Sequence, residues 1–65
     1  MRIQVNGDTR EVAALTVLAL VEELGFDVRK VAVERNLAIV PRSLHAGTAL
    51  EEGDRIELVQ FVGGG

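Results

Sequence analysis

Cysteine, tryptophan and tyrosine are absent from this chain of 65 residues; histidine, proline and methionine each occur once and phenylalanine twice. Without cysteine there is no disulfide framework, and no thiol, persulfide or thiolate–metal chemistry can arise inside the chain. That usage fits a reducing compartment. Without tyrosine or tryptophan there is little on which bases could stack. The excess of 10 acidic over 7 basic residues, a net charge of −3, argues further against nucleic acid as a partner. A small acidic protein is better suited to dock on a basic protein surface. The lone histidine, His45, has Ser43 nearby but no third group to orient it, so a catalytic site is not expected. No apolar run approaches the roughly 20 residues needed to cross a bilayer. The opening Met1-Arg2-Ile3-Gln4-Val5 alternates polar and apolar residues and lacks the apolar core of a signal peptide. The expectation is a soluble, cytoplasmic protein that touches neither membrane nor nucleic acid.

What is present supports one small core. A domain of this size buries only about 60% of its unfolded surface, and the 48% hydrophobic content must hold it together by packing alone. Ile3 and Val5 alternate with Arg2 and Gln4, the period of a half-buried strand. Asn6-Gly7 then gives the strongest short hairpin signal, because both residues accept the positive φ of a type I′ turn, and residues 8–12 return as a mostly exposed strand. Thr16 can cap a helix over residues 16–24, in which Val17, Leu18, Leu20, Val21 and Leu24 recur at helical spacing opposite Glu22 and Glu23. Gly25 stands where a left-handed cap belongs. So short a helix must lie against a sheet to persist in water.

Residues 31–35 read as a third strand with Val31 and Val33 on one face. Asn36 and Leu37 turn the chain into a short fourth strand at Ile39-Val40, ended by Pro41. Residues 43–49 are irregular, with room for one helical turn. Glu51-Glu52-Gly53-Asp54 makes a tight turn into a last strand, residues 55–61, with Ile56 and Leu58 facing the core. The order β-β-α-β-β-β is expected to form an α+β roll, a mixed sheet of about five strands packed on one main helix. Its first and last strands pair at the centre.

The carboxylates Glu22-Glu23 and Glu51-Glu52-Asp54 have the pattern of a solvated helix face and a turn, and lack the ligand spacing of a calcium loop. No metal site is expected, and one helix on one small sheet leaves no room for a ligand-sized pocket. Attention falls on Phe61-Val62-Gly63-Gly64-Gly65. The expected division is a folded domain over residues 1–62 and a flexible glycine tail over 63–65. Glycine loses the most entropy on ordering and packs no side chain. Such a tail suits a partner's channel too narrow for a Cβ, with Gly63 and Gly64 inside it. It presents the α-carboxylate of Gly65, ionised at neutral pH and able to attack an activated phosphate. A frayed end is the plain alternative. If Ile56 and Leu58 point inward, Val59 and Phe61 are partly exposed, and with Val62 they form a candidate docking surface beside the tail.

Six pieces in order, Leu15-Thr16-Val17-Leu18, Glu23-Leu24-Gly25, Val31-Ala32-Val33-Glu34-Arg35-Asn36, Ile39-Val40-Pro41-Arg42, Glu52-Gly53-Asp54-Arg55-Ile56-Glu57 and Val62-Gly63-Gly64-Gly65, resemble the thiamine-biosynthesis sulfur carriers, the ThiS family. The resemblance runs the length of the chain and departs at Leu37, where many relatives place a glycine or polar residue. It implies the ubiquitin-like β-grasp fold and a role as protein co-substrate, not enzyme. An E1-like enzyme, using ATP and magnesium, adenylates the Gly65 carboxylate. Sulfur from a cysteine-desulfurase relay then replaces AMP, and the resulting thiocarboxylate donates sulfur to thiazole synthase. The chain itself binds no cofactor in this scheme. A related β-grasp carrier for molybdopterin synthesis, tRNA thiolation or protein conjugation uses the same tail chemistry and stays open as the alternative, as does a plain interaction module.

Overall fold

Asn6 and Gly7 adopt φ of 50° and 86°, so the chain reverses in two residues. The strand Arg2–Val5 (β1) thereby pairs antiparallel with Asp8–Glu11 (β2). The computed structural model describes residues 1–62. Beyond the hairpin lie the helix Val17–Glu23 (α1), the strands Val31–Arg35 (β3) and Ala38–Val40 (β4), a 3-10 turn over Arg42–Leu44, and the strand Arg55–Gln60 (β5). The strands form one sheet in the order β2-β1-β5-β3-β4. β1 and β5 pair in parallel at the centre, with Gln4 opposite Arg55 and Val5 opposite Ile56, while β3 runs antiparallel to both β5 and β4. The expected roll, its five strands and its central pair are all present.

One face of the sheet makes the core. Ile3 and Val5 of β1, Val31 and Val33 of β3, and Ile56 and Leu58 of β5 are buried against Val17, Leu20 and Val21 of the helix. Val12, read as part of an exposed strand, is instead buried just beyond β2, where its N–H donates to Met1 O. Thr16 caps the helix as expected, its Oγ1 accepting the Ala19 N–H at 3.1 Å, and Gly25 follows the helix at φ 82°. The last strand ends one residue earlier than expected, although Phe61 N–H still donates to Lys30 O at 2.7 Å.

The irregular stretch after β4 closes the helix. His45 O and Thr48 O accept the N–H groups of Leu18 and Val17 at 2.9 and 3.0 Å, and the Leu50 N–H donates to Leu15 O. A helix leaves its first N–H groups without internal partners, and the loop supplies them here. His45 is buried, with Nε2 donating to Val40 O at 3.0 Å. The histidine thus fastens the loop to β4. Ser43 is exposed. Among the described residues no helix is long and apolar enough to cross a membrane, and no group of three or more His, Asp or Glu is placed to hold a metal ion.

Candidate functional site

The candidate site is the outward side of β5 and the residues that follow it. Alternation places Ile56 and Leu58 in the core, so Glu57 and Val59 face away from the helix. Val59 is 58% exposed, Phe61 55% and Val62 94%. All three residues named from the sequence as a docking surface therefore lie at the surface. Gly63, Gly64 and Gly65, named for the tail and its reactive carboxylate, lie outside the described residues. Opposite Val59 stands Ala32 of β3, and Ile39 of β4, 75% exposed, extends the apolar area across the sheet.

Two asparagines hold β5 in place, a role the sequence did not reveal. Asn6, in the first hairpin turn, accepts the Leu58 N–H on its Oδ1 at 2.8 Å, and Asn36, in the second, accepts the Arg55 N–H at 2.9 Å. Asn36 also donates to Asp54 Oδ1 at 3.0 Å. Asp54, read as a solvated turn residue, is buried and receives Arg35 Nε at 2.8 Å and the Glu51 N–H at 2.8 Å. Burial alone pushes its carboxyl up; the hydrogen bonds from Asn36, the Glu51 amide and Arg35 outweigh it, so the group lies below the usual carboxylate range. Asparagine signals turns, and its side-chain reach to a distant strand leaves no periodic trace.

The segment flanking the exit of β5 is braced as well. Asp27 accepts the Arg29 N–H at 2.9 Å and the Arg29 guanidinium at 3.1–3.2 Å, which lowers its carboxyl to about 2. Arg42 donates to Arg29 O at 2.6 Å, tying this turn to the segment after β4. The Phe61 N–H, donating to Lys30 O at 2.7 Å, joins the end of β5 to this turn. Elsewhere, a shallow cleft of about 170 Å³ between the first hairpin and the helix end is lined by Val5, Asn6, Asp8, Arg10, Leu24 and Phe26. That is smaller than the roughly 300–1,000 Å³ of ordinary ligand pockets.

Comparison with known proteins points one way. Residues 3–65 match the model of the ThiS family. A thiazole synthase of Paramagnetospirillum magneticum is 54% identical over the whole chain, and one of Magnetococcus marinus is 47% identical. The chain spans only 20% of the length of these two curated relatives. A crystal structure of a thiamine biosynthesis protein, ThiS, from Geobacter metallireducens superimposes with a TM-score of 0.83 at 32% identity, covering 100% of both chains. The mixed five-stranded sheet on one helix is accordingly the ubiquitin-like β-grasp. Matched in sequence from Ile3 onward and in structure over its full length, the chain belongs to the ThiS family.

Proposed function

We propose that this chain is a sulfur carrier for thiamine biosynthesis, acting as a protein co-substrate and not as a catalyst. The observation that carries the reading is family membership over residues 3–65, which includes the three glycines that follow the braced end of β5. In the proposed chemistry a carboxylate oxygen of Gly65 attacks the α-phosphorus of ATP on an E1-like enzyme, and pyrophosphate leaves. A persulfide from a cysteine-desulfurase relay then attacks the acyl-adenylate carbon and AMP leaves, giving an acyl disulfide. A thiol reductant cleaves its S–S bond, so that the carrier keeps one sulfur as the thiocarboxylate and the relay cysteine leaves as a disulfide with the reductant. ATP and magnesium are held by the activating enzyme.

The sulfur acceptor is thiazole synthase. Relatives that bear this name contain a segment 54% and 47% identical to the whole chain, which supports a carrier working beside that activity. A chain without cysteine can hold transferable sulfur only on its terminus, which also supports the scheme. Gly63 and Gly64 lie in the partner's channel, and Val59, Phe61 and Val62 dock against its surface. Intact-mass measurement of the protein purified from its own cells tests the reading. A fraction heavier by the exchange of one oxygen for sulfur, mapped by fragmentation to Gly65, is expected. Its absence under thiamine starvation, with the desulfurase and activating enzyme present, overturns the proposal.

A further inference from the structure

Glu34 of β3 and Glu57 of β5 stand directly opposite one another on the open face of the sheet. Paired strand positions bring Cβ atoms within about 5 Å, and like charges so placed destabilise a sheet. Neither carboxylate is relieved. The ion pairs among the described residues use Glu11, Asp27, Glu51 and Asp54, and neither Glu34 nor Glu57 accepts a side-chain hydrogen bond. Arg55 lies two residues along β5 on the same face and forms no ion pair with Glu57. On either side the pair is bordered by apolar surface: Ile39 opposite Glu34 on β4, and Val59 with Ala32 one step further along β5 and β3.

We propose that this face docks a protein partner through one basic side chain, a guanidinium or ammonium, seated between Glu34 and Glu57. The apolar neighbours of that basic residue rest on Ile39, Ala32 and Val59. The inference rests on the reading of the chain as a carrier that a folded enzyme must bind, and it assigns the chemistry of that enzyme's contact surface. An arginine fits best, since its planar fork can meet two carboxylates at once while its stem covers apolar surface. A second copy of this chain fits less well, because a face-to-face dimer brings four carboxylates together with only the two Arg55 guanidiniums on that face to offset them. The acidic pair steers a cationic partner towards this face.

The test is calorimetric titration of thiazole synthase from the same source with the full chain, wild type and Glu34→Gln/Glu57→Gln, at low and high salt. Glu22→Gln, on the exposed side of the helix, serves as control. At low salt the double variant is expected to bind at least tenfold more weakly and to lose most of the salt dependence. Its melting temperature should be unchanged or raised, because a repulsion has been removed. Wild-type affinity and salt dependence in the double variant overturn the proposal, as does a fall in melting temperature that accounts for the loss. Failure of the wild type to bind, or its dimerisation in sedimentation, overturns it too. If binding behaves as expected but no thiocarboxylate is found by mass, the carrier reading fails while the docking surface stands.

Discussion

Leu37 occupies a conformation that its side chain disfavours. With Asn36 at φ 51° and Leu37 at 73°, the second hairpin repeats the geometry of Asn6-Gly7, but with a leucine in the glycine position. Asn36 is bound on both sides, to Asp54 and to the Arg55 amide, so the turn cannot relax to suit its neighbour. The left-handed region costs an L-residue roughly 1–2 kcal/mol, and the leucine, 75% exposed, recovers little by burial. Leu37→Gly should therefore stabilise the fold despite glycine's greater unfolded-state entropy, by about 0.5–1 kcal/mol net. A lower melting temperature than wild type would refute this. Asp54 gives a second residue-scale expectation. Its carboxyl is depressed in the folded state, so it stabilises the fold above the unfolded value of about 3.9 and that contribution is lost as pH falls through the folded value. Asp54→Asn should cost roughly 1–3 kcal/mol near neutrality, as for a broken buried charge network. In urea unfolding the gap to wild type should close towards pH 3; a gap that stays constant with pH would assign the loss to packing.

At the scale of elements, the sequence was legible wherever a local rule spoke. Asn6-Gly7 marked the first hairpin, Thr16 the helix start, Gly25 its end, and the alternation about Ile56 and Leu58 set which side of β5 faces the core. Less could be read where long-range contacts decide. The loop carrying His45 and Thr48 closes the helix with backbone carbonyls, which any residue type can supply, and a single buried histidine produces no pattern. Asp54 looked like a turn acid because only its partners, 18 and 19 residues away in sequence, make it a buried one. The exposed end of β5 was anticipated from alternation alone, and its geometry sharpens a prediction. Phe61 is held by its backbone N–H to Lys30 while 55% of the residue stays exposed. Phe61→Ala should thus leave the melting temperature nearly unchanged yet weaken binding to the activating enzyme or thiazole synthase at least tenfold, about 1.4 kcal/mol. Lost stability with unchanged affinity would return Phe61 to a structural role.

Across the whole molecule, folding and the proposed chemistry use different residues. Among the described residues the core draws on Ile3 to Leu58, and the backbone pairing of β5 reaches Phe61. The folded face would supply affinity, since ordering flexible residues opposes binding, and the glycines would supply reach and the reacting group. Two outcomes follow from that separation. Deleting Gly65 should leave the melting temperature at the wild-type value while abolishing ATP–pyrophosphate exchange by the cognate activating enzyme, because the attacking carboxylate is moved back by a residue, and even small displacements of a reacting group are costly. Gly64→Ala should impair exchange more than Gly63→Ala, its Cβ standing nearer the reacting carbon in a channel shaped for a bare backbone. Binding of either alanine variant should stay close to wild type if the face carries the affinity. Exchange that survives deletion of Gly65 would refute the requirement for that residue's carboxylate, and equal, wild-type activity of the two alanine variants would remove the narrow channel from the scheme.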